Sequence, residues 1–314
     1  MKQTNRIELD EVLNALRALG ISHRYDGPPQ LISKVCSLLH REPGGLYYYT
    51  GEAPGPFSTL TGSVVLCGER ALGDLSGNSA IVVEGDPQQV FYRLCSRLFD
   101  TSPAPGAHAT AIIDPEAEID ADVHIGPYAV IGRCRIGPGS VIHAHVVIMD
   151  GCTIGAGVVI EPNSCIGATG VAWVWSPDGT RIVLPQLGGV LIEDDVFIGT
   201  DVTIVRGMIN EMTTIGSGCM IAHGSKIGHS AVLGAHCHLA NNVSIAGSVK
   251  LGARSFLGAG CSVRPHTTLA EATIVGVGAA VVGDSLTPGA ILAGVPAKRM
   301  PDKDRPAGMP QPLR

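Results

Sequence analysis

Aromatic side chains are scarce in this chain: 5 Phe, 6 Tyr and 2 Trp among 314 residues. Globular cores usually draw much of their buried area from such rings, so an interior of Ile, Val, Leu and Ala is expected instead. The 9 Cys include no CxxC pair, which argues against a zinc ribbon or a disulfide framework. Six of them (Cys134, Cys152, Cys165, Cys219, Cys237 and Cys261) suit the role of small buried thiols in a narrow interior. No apolar run approaches a membrane span, and the start of the chain goes straight into a helical pattern without a signal peptide. A cytoplasmic protein with no membrane span is therefore expected. The formal net charge of -6 speaks against a nucleic-acid partner.

What the chain has in abundance is a fixed six-residue step. Aliphatic residues stand at Ile113, Ile119, Ile125 and Ile131, then, after a five-residue slip, at Ile136, Ile142, Ile148, Ile154, Ile160 and Ile166. The step resumes at Ile192, Ile198 and Ile204, and again from Ile215 through Ile221, Ile227, Leu233, Leu239, Ile245, Leu251, Leu257 and Val263 to Leu269. Neither a helix nor an ordinary strand repeats this way; hexapeptide repeats build β-helical solenoids. One repeat supplies a short strand and a turn, three repeats make a triangular coil, and the recurring rail residue points inward. A sandwich or barrel would also alternate apolar residues with glycine turns, but would not hold this phase for so long. Gly126, Gly137 and Gly155, each directly after a rail residue, are expected to serve corners with unusual backbone angles.

Residues 1–101 lack the step. Leu9, Val12, Leu13, Leu16 and Leu19 predict an amphipathic helix ending at Gly20. Strands are predicted at 46–50, 63–67 and 80–83, and a second helix over 87–99. This is a small α/β domain, joined by the Pro-rich linker 101–106 to a solenoid over 107–297. Two excursions leave the solenoid, at 167–189 and at 206–214; the first carries Trp173 and Trp175. Breaks of this kind in a regular scaffold are often functional. Residues 298–314 read as a loose polar tail. The solenoid's flat apolar faces predict a symmetric oligomer, a homotrimer.

Three strings follow in order behind the N-terminal domain: Leu184-Pro185-Gln186-Leu187-Gly188-Gly189-Val190, Arg206-Gly207 after a rail residue, and Ile221-Ala222-His223. With them the chain resembles, over nearly its whole length, the UDP-3-O-acylglucosamine N-acyltransferase (LpxD) family, as a divergent member within the hexapeptide-repeat acyltransferase superfamily. The resemblance implies a mainly β fold, a left-handed parallel β-helix with a small N-terminal α/β domain. It also implies a homotrimer that moves an acyl group from acyl carrier protein to the amine of a UDP-linked amino sugar in lipid A biosynthesis, with no metal or other cofactor. It assigns the general base to His223, a secondary catalytic or positioning role to His266, and uracil stacking to Tyr48. Several positions depart from the family: Gly224 replaces its Asn, Val205 its Asp, and Thr169-Gly170-Val171-Ala172 its Asp-Gly-Phe-Gly. The stretch from His223 to Ile245-Ala246-Gly247-Ser248 is also one hexapeptide longer, and the C-terminal helical extension is absent.

Histidine suits the removal of a proton from an attacking amine because its ordinary pKa of about 6.5 lies near working pH. Backbone N–H groups at a corner, around Gly247 or Gly258, suit the oxyanion. His143, His145, His229, His236 and His238 each read as surface or packing residues. Trp173 and Trp175 are expected to line an acyl groove. Tyr48 alternates faces with Tyr47 and Tyr49, so core packing competes with base stacking for these rings. An acidic carrier protein or a CoA thioester calls for cations, and Lys250, Arg264, Lys298 and Arg299 are the candidates for donor binding. Gly294-Val295-Pro296-Ala297-Lys298 resembles the closing string of acetyl-CoA-dependent hexapeptide transferases, which keeps an acyl-CoA donor or another acceptor open. A trimeric metal-binding solenoid, like the gamma-class carbonic anhydrases, is the remaining alternative.

Overall fold

In a computed structural model describing residues 7–51, 57, 60–75 and 77–300, the chain divides into two units, with the boundary between Ser102 and Pro103. In the first, α1 (Leu9–Ala18) buries Val12, Ala15 and Leu16. Helix α2 (Pro87–Leu98) starts at Asp86, whose carboxylate accepts the Gln88 N–H at 2.8 Å, with Pro87 in its first turn. Five strands, β1 (His23–Asp26), β2 (Lys34–Val35), β3 (Gly45–Tyr49), β4 (Val64–Cys67) and β5 (Ser79–Val83), form one sheet in the order β1-β5-β4-β3-β2. Only the β1–β5 pairing is antiparallel. Both faces of the sheet are covered, so β4 and β5 are buried throughout rather than alternating.

The six-residue step produces the second unit. Nearly every repeat contributes a two-residue strand whose second residue is the rail residue. Among the described residues the strands form sheets of nine, eight and eleven members, visited in turn at each coil. Rail residues stack in register: Ile125 on Ile142, Ile142 on Ile160, Ile160 on Ile198, Ile198 on Ile221, Ile221 on Leu239. The resulting column of Ile, Leu and Val, with small residues such as Ala129, Cys219 and Cys237 between, is one continuous buried core. Burial pushes the thiols of Cys134 and Cys261 up to about 12 and that of Cys152 to about 11.

Two expectations need correction. Glycine after the rail residue is not there for its backbone angle, because Gly126, Gly137 and Gly155 have ordinary φ. It is there because a Cβ would lie 2.8 Å from the backbone of the next coil at Gly126 and Gly137, and 2.5 Å from the Asp194 carboxylate at Gly155. The left-handed residue sits two positions further on, and side chains often occupy it: Tyr128, His145, Asn163, His236, Asn242 and His266 all have φ near +60°. The polar tail, too, does not begin as a loose segment. Lys298–Arg299 pairs antiparallel with Leu292–Ala293 and ends the eleven-stranded sheet; 301–314 lie outside the described residues. Among the described residues no helix is long and apolar enough to cross a membrane.

Candidate functional site

Both excursions leave the solenoid at the same edge. The first runs from Cys165–Ala168 of the nine-stranded sheet to Gly189–Ile192 of the eight-stranded sheet, and the second from Thr203–Val205 to Met212–Ile215 one coil later. The first is a β-hairpin, Trp173–Trp175 against Arg181–Val183. Asp178 closes its turn, accepting from Ser176 Oγ and from the Thr180 N–H, and these bonds hold its carboxyl down to about 2. Trp173 and Trp175 share one face with ring centroids 4.8 Å apart, and the Arg181 guanidinium lies 5.6 Å and 5.7 Å from the two rings.

Arg206 ties this edge together. Its Nε donates to Gly188 O at 2.8 Å and its Nη2 to Asp150 O at 2.6 Å, joining the end of the first excursion to the corner below. The second excursion turns through Ile209 at φ +41°, an unusual angle for a β-branched residue. It is anchored by the Met208 N–H, which donates to Ser230 Oγ at 3.2 Å.

Between the excursions and the coils above them lies a cavity of about 560 Å³. The hairpin lines it with Val171, Ala172, Trp173 and Leu184, the second excursion with residues 208–211, and the solenoid corner with His229, Ser248 and His266. The three corner residues follow Ile227, Ile245 and Val263, successive rail residues of the nine-stranded sheet. The His229 ring lies over Gly247, where a Cβ would sit 2.3 Å from Nε2. The Gly247 N–H donates to no acceptor among the described residues, whereas the Gly258 N–H is committed to Val275 O at 2.8 Å. At the other corner expected to offer an oxyanion donor, the N–H without an acceptor among the described residues is that of Ala259 rather than Gly258.

The other residues singled out in the sequence are dispersed. His223 follows Ile221 of the eleven-stranded sheet, so it occupies the preceding corner and does not line the cavity. Its Nδ1 accepts the Thr200 N–H at 2.9 Å. Trp173 lines the cavity and Trp175 does not. Tyr48 belongs to the first unit, its ring packed between Phe91 (5.1 Å) and Tyr92 (5.8 Å). Lys250 is on the eight-stranded sheet, Arg264 follows the nine-stranded sheet, and Lys298 and Arg299 end the eleven-stranded sheet. These four cations are spread over three sheets of the solenoid. His238 packs edge-on against Phe256 at 5.1 Å, and burial lowers its pKa. Among the described residues no three His, Cys, Asp or Glu side chains converge as metal ligands would. Sequence reasoning flagged the 206–214 excursion without singling out its 208–211 turn, and read His229 as a surface or packing residue, whereas both line the cavity.

Comparison with known proteins agrees with this architecture. The model of the bacterial transferase hexapeptide (six repeats) matches residues 133–168 and 212–247. A UDP-3-O-acylglucosamine N-acyltransferase of Coxiella burnetii is 29% identical over 241 residues, covering 68% of this chain and 70% of that protein. One of Polynucleobacter asymbioticus is 33% identical over 168 residues, 46% of this chain and 45% of its own. The chain is thus similar to UDP-3-O-acylglucosamine N-acyltransferases over about two thirds of its length, at about 30% identity. Among solved structures, the UDP-N-acetylglucosamine O-acyltransferase (LpxA) of Moraxella catarrhalis superposes with a TM-score of 0.57 at 28% identity, covering 62% of this chain and 73% of that one. LpxA of Acinetobacter baumannii matches equally, with a TM-score of 0.57. The family fold is the left-handed parallel β-helix, here behind a small α/β domain. The family's Arg-Gly string has a structural reading in this chain, because Arg206 binds the two carbonyls that hold the cavity edge.

Proposed function

We propose that this protein is an N-acyltransferase that moves an acyl group from an acyl-carrier-protein thioester to the amine of UDP-3-O-acylglucosamine, in lipid A assembly. The observation that carries the reading is the cavity, in which two excursions and two histidines meet on one edge of a fold shared with UDP-sugar acyltransferases. In this reaction the amine nitrogen attacks the thioester carbonyl and a C–N bond forms. A histidine accepts the amine proton, and the carbonyl oxygen gathers charge as the carbon becomes tetrahedral. The Gly247 N–H is placed to donate to that oxyanion. Collapse breaks the C–S bond, and the carrier thiolate leaves with the proton held by the imidazole. The apolar hairpin wall of Val171, Ala172 and Trp173 suits an acyl chain. The working unit is a homotrimer, whose mass sedimentation equilibrium would report; a monomer would exclude it.

A second reading keeps the chemistry and changes the substrates. It is favoured by Gly224, Val205 and Thr169–Ala172, which depart from the family pattern, and by the dispersal of Lys250, Arg264, Lys298 and Arg299. Release of thiol from 3-hydroxyacyl-carrier protein that depends on UDP-3-O-acylglucosamine supports the first reading. Release only from acyl-CoA, or only with another UDP-amino sugar, selects the second. No acyl transfer to any amino sugar would refute both.

A further inference from the structure

We propose that Trp175 and Arg181, side by side on the hairpin next to the cavity, bind a nucleoside diphosphate, with the base stacked on the indole and the phosphates on the guanidinium. The proposal rests on the acyl-transfer reading and says where the nucleotide end of its substrate is held.

The chain has two tryptophans, and both stand on one face of this hairpin. Trp173 is paired with Val183 and Trp175 with Arg181 across the two strands, and the alternation of a strand puts these four side chains on the same side. Trp173 is 40% exposed and Trp175 60%. Aromatic rings supply much of the buried area of proteins, so leaving both indoles this open in a chain poor in aromatics calls for a reason. The two are also placed differently. Trp173 forms part of the cavity wall, whereas Trp175 lies outside it, its ring centroid 4.8 Å from that of Trp173. The Arg181 guanidinium lies 5.7 Å from the Trp175 ring and pairs with no carboxylate among the described residues. Asp178, the acid nearest in sequence, is turned into its own loop, where it accepts from Ser176 and Thr180.

The chemistry of this pair selects the ligand. An acyl chain is served by the apolar wall inside the cavity and gains nothing from a cation held beside a ring. A nucleoside diphosphate uses both groups, a flat π surface for the base and a guanidinium for the phosphate oxygens. With Trp175 60% exposed, most of that indole is open to a second ring. Tyr48, which the resemblance assigns to uracil stacking, is engaged instead with Phe91 and Tyr92 of its own unit. A UDP-linked amino sugar seated in the cavity beside Ser248 and His266 has Trp173 as its wall and Trp175 one ring further out, where its nucleotide belongs. Coenzyme A carries the same chemistry in its adenosine diphosphate portion, so a donor nucleotide would use the same two residues, and experiment separates the two sources.

Both tryptophans being on the hairpin, intrinsic indole emission reports on this site alone, and Trp173 remains as reporter in Trp175 variants. UDP is expected to quench wild-type emission saturably, and uridine to do so more weakly. R181Q should weaken UDP about 10-fold and leave uridine unchanged. W175L should weaken both, and W175F should restore them. In thiol release, W175L should raise KM for the UDP-amino sugar about 5- to 100-fold with kcat within a few-fold, because the binding removed is common to ground and transition states. Quenching by coenzyme A rather than UDP, lost in the same variants, would support the site and assign it to the donor nucleotide of the second reading. Emission unmoved by either nucleotide, or a fall in kcat at unchanged KM in W175L and R181Q, would overturn the proposal and show the pair to be a brace for the hairpin. The acyl-transfer reading stands in that case if wild type still releases thiol. Saturable UDP quenching in a protein that acylates no amino sugar would overturn that reading and leave the nucleotide site in place.

Discussion

Histidine and glycine at a β-helix corner act together at the residue scale. The His229 ring can lie over position 247 only because that position has no Cβ, which would approach Nε2 to 2.3 Å. Gly247→Ala should therefore swing the imidazole away while leaving the buried rail intact. Misplacement of a catalytic group by about 1 Å can cost on the order of 10²-fold, so kcat should fall by that order with little change in Tm. Unchanged turnover would mean that the ring's place over residue 247 does not matter to the chemistry. Gly224, at the corresponding turn beyond His223, has a different reason to be glycine: its φ is +73°, and a Cβ would meet the Asn242 side-chain oxygen at 2.2 Å.

At the scale of elements, the two excursions would be floppy additions to a rigid coil were they not fastened. Arg206 supplies the fastening with two charge-assisted bonds to carbonyls, one at the end of the first excursion and one on the corner beneath. Arg206→Ala leaves both carbonyls to water or unmet. Stability should fall by about 1–3 kcal/mol, and turnover should fall further than this stability loss explains, because the cavity walls lose their register. Denaturant unfolding beside thiol release measures both. A variant that keeps full activity would show that the excursions hold their place without this residue. The hairpin adds its own brace, the edge-to-face pair Trp173 and Trp175 with Arg181 beside both rings, of which only Trp173 lines the cavity.

Over the whole molecule, stability is distributed along the rail columns, each coil burying the next. Ile221 is fully buried, stacked between Ile198 and Leu239. Ile221→Ala should cost about 2–5 kcal/mol, read as a shift in the denaturant midpoint. A shift below about 0.5 kcal/mol would mean that the column closes over the gap, since the measured range reflects how well a site can collapse. In the first unit the same accounting applies to a sheet covered on both faces, where Tyr47 and Tyr49 point to one side and Tyr48 to the other.

The spacing of Ile, Leu and Val determined the solenoid, because a period of six has few structural solutions and each rail residue could be named in advance. The helices of the first unit were legible for a related reason: the apolar stripes of Val12 and Leu16, and of Val90, Phe91 and Leu94, are local. The places where the excursions leave were legible too, as breaks in the phase. Which corner of the triangle a histidine occupies was decided only in three dimensions. That depends on the count of residues from coil to coil, and the count varies: 17 from Ile125 to Ile142, 18 to Ile160, 38 to Ile198 and 23 to Ile221. A single additional hexapeptide turns every later residue by one face, so a matching string around His223 could not place that ring at the cavity. Nor could the sequence show that Thr200 already holds the lone pair of His223 while Arg206 turns its amide away from His229. Those bonds join residues more than twenty positions apart, and only the stacking of the coils brings them together.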